Sequence, residues 1–412
     1  MERDNIEAPA SASADHPSPR SRATDNPQPA TSALIVAADF VKTGGMDRAN
    51  YALADYLARQ GGELHLVGHS AGEGLRAYPN LHWHPVARPL GHDALGWPLL
   101  ARAGRHWAQR ITAAGGRVVV NGGNCAWGDI NWVHYVHAAY QAPLAAGGLR
   151  RAWHRAKHRQ ARRDERRGLA SARVVIANSE RTRRDLQACV GVVPERICVV
   201  YYGCDPARFS PAAPAARAAA RQSLGWPPQL RTALFLGALG DRRKGFDTLF
   251  AAWQQVCAQP GWDTELVVAG RGGELGAWRE RIAAASLGER CRFLGFRSDV
   301  PQLLAASDLL VSPTRYEAYG LGVHEAFACD LPAIVSADAG VAERVPPELQ
   351  GLLLRDPDSG DELAARLRHW HDHAPALRPA LAALGARLRA YHWDDMAADI
   401  LACAVRSPED PA

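Results

Sequence analysis

The sequence predicts an α/β protein with two Rossmann-like domains facing a central cleft, followed by C-terminal helices. Its 412 residues exceed what one ordinary hydrophobic core holds. Short apolar runs alternate with amphipathic stretches, as expected of parallel strands that are buried on both faces and joined by helical crossovers. The alternation stops at a Pro- and Ala-rich segment, residues 206–228, and then begins again. Two such halves place a ligand at the carboxyl ends of their strands, in the cleft.

The apolar pattern divides the chain into four segments. Residues 1–32 are rich in Ala, Ser, Pro and Asp and lack an apolar period, which is typical of disorder. The first predicted domain covers residues 33–205, with strand candidates at 33–40, 63–69, 117–122, 131–137, 173–179 and 197–202 and the clearest helices at 47–60 and 180–189. The second covers residues 206–390, with strand candidates at 231–237, 264–270, 291–296, 308–313, 332–337 and 351–354. Residues 391–412 are expected to form a helix and tail, and packing of this helix back on the first domain is left open.

Several features of the sequence bear on the cellular location of the protein. No apolar run approaches the ~18 residues of a membrane span, and the first ten residues lack the basic-then-apolar order of a secretory signal. The eight cysteines form no C-x-x-C pair, which argues against a cysteine zinc site or a disulfide framework. We therefore predict a cytoplasmic protein, with peripheral attachment to the inner face of the membrane as an alternative.

A basic stretch runs from Arg150 to Arg167 and carries much of the net charge of +5. Its pattern is compatible with a helix. One interpretation is a solvated helix face. The other is attraction to an anionic membrane surface or a lipid phosphate, which contributes ~1 kcal/mol per basic residue close to such a surface. Because a single basic helix without aromatic stacking platforms is a weak nucleic-acid signal, we expect no nucleic-acid partner.

The segment 312–336 gives the clearest chemical signal. Glu317 and Glu325 stand seven residues apart, with Glu317 on a predicted loop and Glu325 one turn into a predicted helix. Between them lie Tyr319, Gly320 and Leu321. A helix that begins near Gly320 offers unpaired amides to a phosphate, while the two carboxylates can reach hydroxyls of a sugar and a ribose. The alternative interpretation is two solvated glutamates beside a helix start.

A second signal is the basic turn after the strand at 231–237. Arg242, Arg243 and Lys244 stand at this turn, and Gly245 permits close backbone approach. Cleavage of a sugar–diphosphate bond leaves extra negative charge on the phosphate. A positioned cation stabilises that charge, and one good electrostatic contact contributes roughly 2.7–4 kcal/mol. The alternative is an exposed lysine at a helix start.

Two weaker signals lie in the first half. Gly44 and Gly45 follow the first strand and open a helix, where glycines let backbone amides approach an anion or a sugar, although the turn geometry alone also calls for glycine. Arg48, in the same helix, is expected to be solvated. On a strand, His134 and His137 have opposite parity, so only one of them faces the cleft; the alternative for a lone strand histidine is a hydrogen-bonded group in the core.

The Glu317/Glu325 pair resembles the Glu-x7-Glu signature of retaining GT-B glycosyltransferases, specifically glycosyltransferase family 4. The other features recur in that family's order over about residues 33–405. The resemblance implies that Glu317 contacts the donor sugar, Glu325 holds the ribose and Lys244 binds the pyrophosphate.

Further positions are assigned through the same resemblance. The family places a histidine at the end of the strand at 131–137, near the donor sugar; His137 fits this place, and His134 is expected to be structural. The remaining donor-site positions are Tyr319, Gly320 and Leu321 at the helix start, Gly44 and Gly45, the glycine-rich turn at Gly270, and Gly295 and Phe296, where the base meets the backbone. Family members commonly carry Arg where this chain has Ala238, so either Arg242 or Arg243 replaces that charge or the leaving group is stabilised less. Asp330 stands where the family has Gly.

The implied reaction transfers a sugar from a nucleotide-diphosphate sugar with retention of configuration to a glycan or lipid-linked acceptor, as in polysaccharide biosynthesis. No Asp-x-Asp element is placed to hold a metal at the pyrophosphate, so we expect no metal and no cofactor. Two alternatives stay open. One is a nucleotide-sugar 2-epimerase on the same fold. The other is a catalytically weak sugar-nucleotide-binding protein, which the departures from the family pattern at Ala238 and Asp330 leave open.

Overall fold

Two parallel sheets form the framework of the computed structural model, which describes residues 32–140 and 148–405. The apolar runs form the strands because each is buried on both faces between helices. The strands of the first half are β1 (Ser32–Val36), β2 (Asp39–Phe40), β3 (Glu63–Gly68), β4 (Ser70–Ala71), β5 (Leu81–Pro85), β6 (Arg117–Asn121), β7 (Ile130–Val133), β8 (Val174–Ala177) and β9 (Ile197–Val199). Those of the second half are β10 (Arg231–Leu236), β11 (Thr264–Ala269), β12 (Cys291–Gly295), β13 (Leu309–Ser312), β14 (Ala333–Ser336) and β15 (Leu353–Leu354).

Strand order fixes where each half can hold a ligand. The first sheet runs β5-β3-β1-β6-β7-β8-β9 and the second runs β12-β11-β10-β13-β14-β15, and all their pairings are parallel. The strand order reverses direction beside β1 in the first sheet and beside β10 in the second. A parallel sheet opens a crevice at the carboxyl ends of the strands at such a point. The short strands β2 and β4 pair separately.

Helices cover the sheets and close the chain. They are α1 (Gly45–Arg59), α2 (Glu73–Arg76), α3 (Asp93–Ala113), α4 (Gly148–Ser171), α5 (Glu180–Asp185), α6 (Pro214–Ser223), α7 (Phe246–Cys257), α8 (Leu275–Ala284), α9 (Val300–Ala306), α10 (Leu321–Ala328), α11 (Gly360–Arg389) and α12 (Trp393–Val405). Helix α11 packs on α7 and α10 of the second half, whereas α12 packs on α1 of the first half. An ion pair of 2.6 Å joins Arg59 of α1 to Asp394 of α12.

The connections between the halves run side by side. The Cys204 amide donates to the Tyr391 carbonyl at 2.8 Å, and Cys204 forms a parallel bridge with His392. Gly203 allows this approach, because a Cβ atom there would lie 2.4 Å from the His392 backbone. The chain therefore crosses twice between the halves at one place.

The described residues correct two sequence-based expectations and leave one outside their range. The strand expected at 131–137 ends at Val133, so His134 and His137 follow the strand and strand parity does not apply to them. The helix expected at 180–189 is α-helical only to Asp185 and continues as a π-helical turn, Leu186–Val190. The disorder predicted for residues 1–32 concerns residues that the structure does not describe, apart from Ser32, which begins β1.

None of the helices within residues 32–140 and 148–405 combines the length and the apolar character that crossing a membrane requires.

Candidate active site

The loop after β13 and the turn after β10 meet because the two strands are neighbours in the sheet. The turn is a short 3-10 helix, Arg242–Lys244, which ends at Gly245 with φ 70°. A Cβ atom on Gly245 would lie 1.9 Å from the Pro313 carbonyl oxygen, so only glycine lets the turn reach this loop. The Arg315 amide donates to the Arg243 carbonyl at 2.8 Å and fixes the two segments together.

This junction brings two cations to one carboxylate. Lys244 Nζ lies 2.7 Å from Glu317 Oε2, and Arg243 Nη1 lies 3.4 Å from the same oxygen. Burial by itself would raise the pKa of Glu317, but the charges of Lys244 and Arg243 outweigh it and hold the pKa below its ordinary value. Glu317 is therefore ionised at neutral pH and is bound by the two cations.

The two arginines of the turn point in different directions. Arg243 also donates to the Tyr316 carbonyl at 3.1 Å, and its guanidinium faces the Tyr135 ring of the first half. Arg242 is more exposed and pairs instead with Asp247 at 3.4 Å. Arg243 is thus the arginine that the structure brings to Glu317, while Ala238 lies exposed at the end of β10.

Gly320 begins the helix that carries Glu325. Its φ of 106° is favourable only for glycine. The Val323 amide returns to the Gly320 carbonyl at 3.0 Å, whereas the first amides of α10 have no partner within the helix. At this point the halves touch, since a Cβ atom on Gly45 would lie 3.7 Å from Leu321. Gly44 caps α1 beside it with φ 80°.

Glu325 is buried and forms an ion pair with Arg48 of α1. The expectation that Arg48 is solvated was wrong, because its guanidinium lies between Glu325 and the Phe209 ring, at 5.5 Å from the ring centre. Desolvation raises the pKa of Glu325 to about 7 despite the opposing charge of Arg48. A ligand that supplies hydroxyl donors would favour the ionised form.

The two histidines after β7 have separate environments. His134 is buried and lies 2.5 Å from the Tyr202 hydroxyl, and burial lowers its pKa to about 3, which fits a structural role. The His137 amide donates to Glu165 at 2.7 Å, and His137 Nδ1 lies 3.2 Å from the same carboxylate oxygen. Because a carboxylate only accepts, this contact places a proton on Nδ1.

Not every sequence-predicted residue reaches the crevice with its side chain. Tyr319 was expected to bind the donor, but its side chain is buried in the core and its hydroxyl lies 2.7 Å from His324 Nδ1. Gly270 serves backbone packing, since a Cβ atom there would lie 1.8 Å from the Gly237 carbonyl. Gly295 accepts the Gly270 amide at 2.8 Å. Phe296 is exposed at the end of β12 under the Arg271 guanidinium.

The backbone conformation at Asp330 accounts for the difference from the family pattern at this position. It has φ 54° directly after α10, a left-handed conformation in which glycine is favoured and aspartate is tolerated. Its carboxylate pairs with Arg389 at 2.8 Å. The position ends a helix and contributes no group to the crevice.

Several contacts that the sequence did not reveal hold the two halves together beside the site. Glu343 of the second half accepts the Glu180 and Arg181 amides at 2.9 and 2.6 Å and so caps α5 of the first half. The Ser179 hydroxyl donates to the Ala318 carbonyl at 2.6 Å. The residues joined by these contacts lie 139 positions or more apart in the chain, so no local sequence pattern reveals them.

A cavity of about 370 Å³ lies next to His137 in the first half. Helices α3 and α4 and the loop after β6 form its walls. The lining residues are Ala94, Trp97, Pro98, Ala101, Arg105, Gly123, Asn124, Cys125, Ala126, His137, Gln160, Ala161, Asp164 and Arg167. The cavity combines an indole surface with amide, guanidinium and carboxylate groups, as in sites for polyhydroxylated ligands.

Comparison with known proteins agrees with this architecture. Residues 43–208 match the family model "Glycosyltransferase Family 4", and residues 216–381 match the model "Glycosyl transferases group 1". The D-inositol 3-phosphate glycosyltransferase of Salinispora tropica is 28% identical over 78% of this chain and 72% of its own length. That of Salinispora arenicola is 32% identical over 57% of this chain and 54% of its own length, so the match spans about half of that relative.

Solved structures share the whole fold. WaaG, a glycosyltransferase involved in lipopolysaccharide biosynthesis, aligns with a TM-score of 0.74 at 21% identity, over 91% of this chain and 100% of that chain. HepE of Anabaena, solved in complex with UDP-glucose, aligns with a TM-score of 0.65 at 20% identity, over 90% and 98% of the two chains.

The two facing parallel sheets, with their loops meeting at the carboxyl ends, define the GT-B class of fold. Within that class, the chain belongs to glycosyltransferase family 4.

The buried pair of Arg48 and Glu325 predicts a pH-dependent loss of stability. Their side chains are 14% and 7% exposed, and removal of one partner from a buried pair costs about 3–5 kcal/mol. Arg48→Met should lower the free energy of unfolding by about 3 kcal/mol above pH 7. Glu325 already has a folded-state pKa raised above its unfolded value, so protonation stabilises the folded state and the loss should shrink as the pH falls below 7.

Urea unfolding at several pH values measures this effect. The double variant Arg48→Met/Glu325→Gln should recover most of the loss. Arg59→Met serves as the control, because the Arg59–Asp394 pair is largely exposed and should contribute less than about 1 kcal/mol. The pairing would be contradicted if Arg48→Met lowered the free energy of unfolding equally at every pH and Glu325→Gln recovered none of the loss.

Proposed function

We propose that this glycosyltransferase transfers a sugar from a nucleoside-diphosphate sugar to an acceptor hydroxyl, with retention of anomeric configuration and without a metal ion. One observation carries the proposal: Lys244 and Arg243 meet Glu317 next to the first amides of α10. These groups supply cationic and amide donors at one point of the crevice, which suits a diphosphate that becomes a leaving group.

The donor occupies the crevice of the second half in this proposal. An ammonium group has three donors, and Lys244 gives one to Glu317, so it can bind a phosphate oxygen while it still holds the carboxylate. Glu317 then accepts from a sugar hydroxyl, and Glu325 accepts from ribose hydroxyls. HepE was solved with UDP-glucose, which supports a nucleoside diphosphate as the leaving group.

The placement of the acidic and basic groups supports the proposal of retention. The carboxylates of the crevice are bound to cations, Glu317 to Lys244 and Arg243 and Glu325 to Arg48, and are placed to hold hydroxyls. The departing phosphate takes the proton of the acceptor hydroxyl, so the new bond forms on the face from which the phosphate leaves. His137 also lines the neighbouring cavity, where its ring is placed to contact a sugar hydroxyl.

The basic turn yields the first test. Lys244→Ala and Arg243→Ala should each lower kcat/KM roughly tenfold or more, because each removes positive charge that stabilises the leaving diphosphate. Arg242→Ala should change kcat/KM less than about twofold, since the Arg242 side chain pairs with Asp247 outside the junction. Transfer is measured with a panel of UDP-, GDP- and ADP-sugars. Equal losses in Arg242→Ala and Arg243→Ala would refute the assignment.

Metal independence yields the second test. Fixed positive charge from Lys244, Arg243 and the start of α10 can do the work of a divalent cation at the diphosphate. Turnover should therefore persist in EDTA, and NMR of the product should show the anomeric configuration of the donor. Activity that EDTA abolishes and Mg²⁺ or Mn²⁺ restores, or conversion of the donor to an epimer without acceptor, would count against the proposal.

The acceptor enters through the first half, by way of the cavity next to His137, and is a glycan or a lipid-linked sugar. Helix α4 forms one wall of this cavity. Its solvent face carries four exposed arginines at spacings of four, four and three residues, which puts them on one side of the helix. They are Arg155, Arg159, Arg163 and Arg166, and Trp153 is 54% exposed near the same end. The side chain of Arg150 lies outside the described residues.

This basic face supports peripheral contact with an anionic membrane, and WaaG, which shares the fold, is involved in lipopolysaccharide biosynthesis. Each arginine near such a surface contributes ~1 kcal/mol. Substitution of all four by Gln should weaken binding to phosphatidylglycerol vesicles roughly a hundredfold or more, measured by sedimentation. A matched set elsewhere, with Arg76, Arg279, Arg355 and Arg378 changed to Gln, should retain binding. Equal weakening in both sets would show only a general charge effect.

A further inference from the structure

Three histidines and a glutamate lie on one face at the edge of the first sheet. Strands β3 and β5 are parallel neighbours, and their register sets His65 directly beside His82 and Val67 beside His84. Because side chains alternate along a strand, Glu63 and His65 share a face with His82 and His84. In β5, the sequence His-Trp-His places the imidazoles of His82 and His84 on this face, two residues apart.

The distances within this cluster suit a tetrahedral metal ion. Glu63 Oε1 lies 3.3 Å from His65 Nε2 and 3.2 Å from His82 Nε2. One ligand atom from each of the three residues lies within 4.8 Å of the others. Ligands bound to zinc at 2.0–2.1 Å with tetrahedral angles stand roughly 3.3 Å apart. Two of the three separations therefore already match, and the third lies within 4.8 Å.

The histidine ring in the middle of the cluster is held in the orientation that a metal ligand needs. His65 Nδ1 lies 2.9 Å from His84 Nε2, and the His84 ring stacks on Trp107 of α3 at 3.6 Å. When His65 donates its Nδ1 proton to His84, the lone pair of its Nε2 is directed toward Glu63. Metal-bound histidines characteristically donate their other ring N–H in this way.

We propose that Glu63, His65 and His82 form a binding site for a divalent cation of the zinc type, with water as the fourth ligand. Two imidazoles and a carboxylate are a ligand set that suits Zn²⁺. Glu63 is the first residue of β3, so the site lies toward the amino ends of the strands, whereas the candidate active site lies at the carboxyl ends. The ion pins the edge strand β5 to β3 and takes no part in sugar transfer, so the site is compatible with transfer that persists in EDTA.

Calorimetric titration of the EDTA-treated, dialysed full chain with ZnCl₂ tests the site. The native chain should bind one equivalent tightly, and its Tm should rise with Zn²⁺. His82→Ala and Glu63→Gln should each weaken this binding by at least about tenfold, given that even residues outside the ligand set change metal affinity 10–100-fold. Both positions are exposed, so the variants should fold, which circular dichroism checks.

A second histidine cluster provides the matched control. His369 and His373 stand one turn apart on α11 with ring centres at 4.6 Å, a pair that can also attract metal ions. His373→Ala should still bind one equivalent of Zn²⁺ with the affinity of the native chain. Loss of tight binding in His373→Ala rather than His82→Ala, or native binding no tighter than in His82→Ala, would overturn the proposal. Co²⁺ bound in place of Zn²⁺ should give the strong visible absorption of tetrahedral coordination, and a weak octahedral spectrum would also overturn it.

Discussion

The contact of Lys244 and Arg243 with Glu317 is the interaction on which the rest of the site depends. It joins the turn after β10 to the loop after β13, two segments that are adjacent only because their strands are neighbours at the point where the sheet order reverses. Gly245 and Gly320 make the contact sterically possible, each through a backbone conformation or approach that a side chain would prevent. The position of the two cations beside the start of α10 thus depends on the order of the strands in the sheet.

The second half does not build the site alone. Arg48 of α1 neutralises the buried Glu325, and the Gly45 backbone reaches Leu321 at the start of α10. Glu343 caps α5 from across the cleft. Charged groups that would be costly to bury singly are therefore paired between the halves, which couples the arrangement of the donor crevice to the relative position of the two domains.

The sequence was sufficient for features governed by local chemistry and failed for those governed by tertiary packing. Apolar runs predicted the strands, because a parallel strand that is buried on both faces is apolar along its whole length. The segment around Glu317 and Glu325 predicted a loop followed by a helix. Arg48, Tyr319 and the choice between Arg242 and Arg243 depended on side-chain direction, which no periodicity records. The cluster around His65 was invisible because its members meet only through the register of β3 and β5.

A crystal structure of the chain with a bound nucleoside-diphosphate sugar would show whether the basic turn and the start of α10 bind the diphosphate. We expect diphosphate oxygens within hydrogen-bond distance of Lys244 Nζ and of the amides at Leu321 and Gly322, with the ribose at Glu325. A diphosphate bound elsewhere, with Lys244 turned away from it, would refute the assignment of Lys244 to the leaving group.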